Sequence, residues 1–189
     1  MATPLRVAKT KLKHPPLTIH TLGDKVLRQP AKRVTQINDD IRELAKAMLQ
    51  TMYSSDGVGL AAPQIGIGKR IIVVDPDPDK PNAPAYIMIN PELKACQGSL
   101  ENGQEGCLSV PDVYSEVKRY PEVTVTYKDE LGRPQTMVAK GFLARIIQHE
   151  IDHLDGVMFV DHVENSFVLD QELRKHGFTM QDVHSRVPA

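Results

Sequence analysis

The apolar residues change their period twice along this chain, and those two changes constrain the fold more than any other feature. Ile41, Leu44, Ala45, Met48, Leu49 and Met52 recur at helical spacing. Asn38-Asp39-Asp40 stands just before them, a capping side chain followed by first-turn acids. This predicts an amphipathic helix over 39–53, broken by the stretch 54–59. From residue 71 the pattern becomes short β-branched runs, which predict strands at 71–74, 86–89, 113–118, 123–127 and 135–139. A proline-rich loop separates the first two, and Asp129-Glu130-Leu131-Gly132 reads as the hairpin turn between the last two. Past Gly141 the helical period returns. Phe142, Leu143, Ile146, Ile147 and Leu154 make one stripe over 141–154, closed by Gly156. A last amphipathic helix is expected over 166–176. Strands between helices predict an α+β fold: mixed or antiparallel β-sheets packed around the central 141–154 helix, with an N-terminal and a C-terminal helix.

A chain of 189 residues is long enough for a single domain with a real core. That domain is expected over 17–177, preceded by a flexible basic arm over 1–16 and followed by a tail over 178–189. The arm has no apolar h-region, so it is not a secretory signal. No apolar run approaches the roughly 20 residues that span a bilayer, so no membrane partner is expected. A formal net charge of -1 argues against direct sequence-specific nucleic acid binding. The expected compartment is the cytoplasm, with an organellar stroma left open. There Cys96 and Cys107 stay reduced. Cys96, with no polar company, reads as a small half-buried filler.

The 141–154 helix carries His149-Glu150-Ile151-Asp152-His153. Histidines four apart share one helix face, so both imidazoles can reach one metal ion, with Glu150 beside them as a proton carrier. The bland alternative is a helix whose histidines pair with surface carboxylates. Three residues compete as third ligand. A zinc endopeptidase of the extended motif needs a histidine three residues after Gly156, but Phe159 stands there and His162 comes three residues too late. A second protease class would use a downstream glutamate, and Glu172 lies 19 residues after His153. The third candidate is Cys107, within Glu105-Gly106-Cys107-Leu108-Ser109-Val110-Pro111. A thiolate with two imidazoles leaves a fourth position open for water, as catalytic zinc-type sites require, whereas a structural site closes with a fourth protein ligand.

A third segment, Gly57-Val58-Gly59-Leu60-Ala61-Ala62-Pro63-Gln64-Ile65-Gly66, has glycines that admit a ligand close to backbone, and Gln64 offers an amide donor. Together the three segments resemble the peptide deformylases, over roughly residues 17–167 and in that family's order. The resemblance implies that Cys107, His149 and His153 hold the metal, with water as the fourth ligand. It implies that Glu150 takes the proton from that water and passes it to the departing amine. The attacked group would be the formyl carbonyl on the N-terminal methionine of a new protein chain. The Gln64 side-chain amide and the Leu108 backbone N–H would then stabilise the oxyanion. Ligand softness suits zinc; the resemblance implies Fe2+, one per chain, with Zn2+, Ni2+ or Co2+ able to substitute.

The methionine side chain needs an apolar pocket. Phe142 and Ile146, seven and three residues before His149, share its side of the helix, although plain core packing explains an apolar helix residue equally well. Val58, Gly59 and Glu105 are expected to line that pocket or the peptide path. The substrate backbone is expected to add as a strand along Gly59 and Gly106 to Pro111. Tyr114 stands where many bacterial members of the family carry arginine, which resembles the plastid and cyanobacterial-like type 1B branch. Partners are therefore expected to be N-formylmethionyl nascent peptides and, transiently, the ribosome exit region. The mixed charges of Asp170, Glu172, Arg174 and Lys175 make the 166–176 helix a poor basic ribosome anchor.

Overall fold

A computed structural model describes residues 5 and 7–184. The helix α1 spans Asp39–Ser54, and Asn38 Oδ1 caps it by accepting from the Ile41 N–H at 3.1 Å. Seven strands follow: β1 (Gly59–Ala61), β2 (Ile71–Val74), β3 (Tyr86–Gln97), β4 (Glu101–Cys107), β5 (Val110–Arg119), β6 (Glu122–Lys128) and β7 (Pro134–Lys140). Then come α2 (Gly141–Leu154), α3 (Ser166–Lys175) and α4 (Met180–His184). The strands form a five-stranded antiparallel sheet in the order β1-β2-β3-β6-β7 and a separate β4-β5 hairpin. The α+β expectation holds, with every ladder antiparallel.

The Ile-Ile-Val-Val of β2 is apolar on both faces because both faces are covered. Ile71 and Val73 pack with Ala45, Met48, Leu49 and Met52 of α1. Ile72 and Val74 pack on the other side with Ala144, Ile147 and Ile151 of α2. The sheet is thus the middle layer between two helices. Each fully buried Leu, Ile or Met of these layers contributes roughly 1.5–3 kcal/mol. A third apolar cluster lies under the hairpin, where Val110, Val113 and Val117 meet Phe159, Leu169, Leu173 and Val183. No helix among the described residues is long and apolar enough to cross a membrane.

Several local readings change. Strand β3 does not stop at Asn90-Pro91 but runs on to Gln97 through a bulge. Asn90 takes φ 53°, and its side chain replaces the lost ladder by bonding both the N–H and the carbonyl of Val34 at 2.8 and 2.9 Å. Pro91, which has no N–H to donate, is tolerated at such a bulge. Cys96 sits on that extension and is exposed, not half-buried. The short strand β1 and the strand β4 carry little hydrophobic alternation and were not expected. The stretch read as a basic arm, in its described part, lies against α1 and the sheet: Leu5 and Val7 pack on the α1 cluster. The stretch read as a tail includes α4, whose Val183 is buried.

Candidate metal centre and substrate cleft

The helix α2 begins where the Gly141 N–H donates to Pro121 at 2.8 Å and ends at Gly156, which has φ 72°. A Cβ at Gly156 would stand 2.6 Å from the Arg28 carbonyl oxygen, so only glycine fits that turn. Between these ends the helix buries His149, Glu150 and His153 almost completely. Cys107 meets them from the last position of β4, where a bulge turns the chain towards β5. The donor atoms of Cys107, His149 and His153 all lie within 4.8 Å of one another, and Cys107 Sγ is 3.2 Å from His153 Nε2. Soft thiolate and imidazole donors at this separation match the chemistry of a tetrahedral transition-metal site.

The rival third ligands lie elsewhere. Phe159 is buried and its ring stacks on His149, with centroids 6.1 Å apart. His162 pairs with Asp152 at 2.8 Å, and Glu172 pairs with Lys175 on the surface of α3. Neither side chain belongs to the cluster.

The two imidazoles differ in their surroundings. His149 Nδ1 is 2.9 Å from Glu105 Oε2. Burial disfavours the charged ring, yet Cys107 and Glu105 hold its pKa well above the usual histidine value. Burial likewise opposes ionisation of Glu105, but hydrogen bonds from His149 and Arg119 hold it far below the carboxylate range. Burial and the positive field of His149 pull His153 well below the histidine value, and its Nδ1 has no hydrogen-bond partner among the described residues. Both rings must present a bare lone pair to a metal, and a carboxylate behind a histidine fixes its tautomer and raises its basicity.

Sequence reasoning placed Glu105 on the cleft but missed what its side chain does. Its carboxylate also accepts from Arg119 at 2.9 and 3.0 Å and from Arg145 at 2.8 Å. Arg119 in turn reaches Asp152 at 2.5 Å. No motif announces Arg119 or Arg145, because they approach from β5 and from the first half of α2. The only available signal was that a buried acid needs a cation.

Glu150 points the other way, into a cleft of about 670 Å³. Its Oε2 is buried without a hydrogen-bond partner among the described residues. Burial pushes its carboxyl up to about 7, despite the lowering pull of His149. Gly59 makes room for it: a Cβ there would stand 2.3 Å from Glu150 Oε1. Gln64 is pinned in direction, since its Oε1 accepts from the Ala61 N–H at 2.8 Å. Its amide nitrogen therefore faces the site and donates to Ser109 Oγ at 3.1 Å and Cys107 Sγ at 3.4 Å.

The cleft is also lined by Val58, Gly106, Leu108, Tyr114, Phe142 and Ile146. Ile146 is buried, whereas Phe142 and Tyr114 are more than half exposed at the rim. Tyr114 faces Gly106 across the hairpin, and a Cβ at Gly106 would stand 2.5 Å from its ring. The structure thus brings every site residue read from the sequence to one cleft, except that His153 lies beneath its floor.

Comparison with known proteins agrees with this geometry. The family model for polypeptide deformylase matches residues 16–167. A peptide deformylase of Thermosynechococcus vestitus is 61% identical over 183 residues, covering 97% of each chain. A crystal structure of a peptide deformylase from Synechococcus elongatus in complex with actinonin superposes with a TM-score of 0.94 at 57% identity, covering 95% of this chain and 98% of that one. The Met-Ala-Ser-bound class I type b peptide deformylase of Acinetobacter baumannii is 41% identical with a TM-score of 0.72, over 78% of this chain and 98% of that one.

Proposed function

The chain belongs to the polypeptide deformylase family, and from that premise we propose a role for each residue of the cleft. The reaction is hydrolysis of the N-formyl amide of nascent peptides. Cys107, His149 and His153 hold one divalent metal ion, Fe2+ in the cell, with Zn2+, Ni2+ or Co2+ as substitutes. When bound, the ion supplies Lewis-acid charge and lowers the pKa of water at the centre towards about 7.

The protein's own groups move the protons and meet the charge. Glu150 accepts the proton of the attacking water on its unpartnered oxygen and returns it to the departing amine. As the formyl carbon becomes tetrahedral its oxygen gains charge, and the Gln64 amide and the Leu108 N–H stabilise it by donating hydrogen bonds to it. Glu105 keeps His149 in one tautomer through Nδ1. Val58, Ile146 and Phe142 take the methionine side chain. The peptide backbone pairs with Gly59 and the Gly106 to Pro111 segment as an added strand, and Tyr114 meets the residues beyond methionine.

We place the reaction in the cytoplasm, at transient contact with the ribosome exit region. The charges of α3 are spent within the helix, Arg174 on Asp170 and Lys175 on Glu172. Such a helix supports a brief encounter rather than an anchored tail.

One observation carries this reading: a thiolate and two imidazoles converge beside a buried carboxylate oxygen that nothing among the described residues satisfies. Anaerobically purified protein should release formate from formyl-Met-Ala-Ser. Glu150→Ala should lose about 10³-fold in rate with its metal content retained, and Gln64→Leu about 10²–10³-fold. A metal-loaded protein that releases no formate overturns the assignment.

A further inference from the structure

The N-terminal segment runs from the β6–β7 turn along α1. The Leu5 N–H donates to Glu130 in the β6–β7 turn at 3.1 Å. Gln50 donates to the Thr10 carbonyl at 2.7 Å, and the Leu12 N–H donates to Ser54 Oγ at 3.1 Å. These bonds lay the segment over the C-terminal half of α1.

Lys9 is the part of that segment that enters the interior. Its side chain is only 8% exposed, and its ammonium is 2.5 Å from Asp75 Oδ2, a side chain with no exposure at all. It also donates to the Asp77 carbonyl at 3.1 Å. Asp75 accepts further from the Tyr53 hydroxyl at 2.8 Å and from the Asp77 N–H at 3.0 Å. Among the described residues Lys9 is the one cation paired with this carboxylate. A buried carboxylate stripped of its cation must become neutral or move towards water.

Movement there would be felt in the cleft. The Asp75 N–H donates to the Val58 carbonyl at 2.8 Å, and the preceding residue, Val74, pairs with Gly59. Gly59 presses on Glu150, and Val58 lines the cleft. Asp75, just past the end of β2, therefore clamps the outer end of β1.

We infer that Lys9 is a positioning residue of the deformylase site, holding Asp75 so that Val58 and Gly59 keep their place at the methionine pocket. The inference rests on the assignment of that pocket in the proposed function. It makes the N-terminal segment a part of the binding machinery although none of the described residues before Ile19 lines the cleft.

The test compares Lys9→Met, which keeps the stem and removes the charge, with Lys9→Arg, which keeps the charge. In Lys9→Met, KM for formyl-Met-Ala-Ser should rise about tenfold with kcat within about twofold, the pattern of lost uniform binding. Lys9→Arg should restore KM. Amide exchange at residues 57–60 should quicken in Lys9→Met alone, while exchange in α3 stays unchanged. If Lys9→Met does not fold, the pair Lys9→Met with Asp75→Asn removes both charges together, and a KM near wild type supports the inference. A tenfold KM rise in that neutral pair overturns it, since the lost charge balance would not be the cause. A lowered melting temperature with KM and 57–60 exchange both unchanged also overturns it. Wild-type protein that releases no formate sinks the deformylase reading instead, and exchange at 57–60 still decides the role of Lys9.

Discussion

The two walls of the cleft are built on opposite principles. One wall, from β4, β5 and α2, is a buried ionic lattice: Glu105 and Asp152 share Arg119, Arg145 adds to Glu105, and Glu105 reaches His149. The other wall, from Gly57 to Gln64, is small side chains and backbone, with Gly59 against Glu150 and Gln64 bonded to its own strand. The first wall must hold an imidazole in one orientation, and charged hydrogen bonds are strong and directional. The second leaves space for Glu150 and, in the proposed mechanism, for the peptide, so side-chain bulk is what it excludes. Stiffness and vacancy are thus divided between the walls.

Four measurements can break or sharpen that contrast, and the largest effect belongs to the ionic wall. Arg119→Met removes the one guanidinium that Glu105 and Asp152 share, leaving Glu105 to Arg145 and Asp152 to His162, and should lower stability by about 3–5 kcal/mol in a urea unfolding curve. A loss under 1 kcal/mol would mean that the lattice is not what braces this wall. On the open wall, Gly59→Ala should cost about 10²-fold in the rate of formate release, because its methyl group displaces Glu150. Its unfolding curve should move far less than that of Arg119→Met; the reverse ranking would invert the comparison. Glu105→Gln keeps the shape of the side chain but weakens the hold on His149, and should lower metal affinity about 10–100-fold by competition with a chelator.

The smallest effect lies away from both walls, in the β6–β7 turn. Burial raises the Asp129 pKa, but bonds from the backbone and side chain of Arg133, from Leu131 and from Gln135 hold it below the usual value. A carboxylate with a lowered folded pKa adds stability above its unfolded pKa and loses it as pH falls through the folded one. Exchange protection of the β6–β7 turn should therefore weaken in acid below pH ~4, and in Asp129→Asn that acid-dependent part should vanish.

The long periodic elements were legible in the sequence. Helices 39–53 and 141–154 were read within a residue of α1 and α2, because an apolar stripe at 3.6 spacing has no other use in a chain of this kind. Strand β4, Glu101–Cys107, was not legible: it carries two glycines and no β-branched residue, and it exists because β5 pairs with it. Nor was the continuation of β3, since its bulge depends on Val34, 56 residues away.

The candidate site divides along the same line. Sequence alone determined that His149 and His153 share a helix face with Glu150 between them, because a helix fixes the relation of residues four apart. It also determined, through three motifs taken together, the family and hence the reaction. Tertiary structure alone decided that Glu105 bonds His149, that Arg119 and Arg145 complete it, and that Lys9 reaches Asp75. The reason is physical. Periodicity records which face of an element is apolar, whereas the partner of a buried charge comes from whichever element packs against it. That choice is made between segments far apart in the chain, and no local pattern carries it.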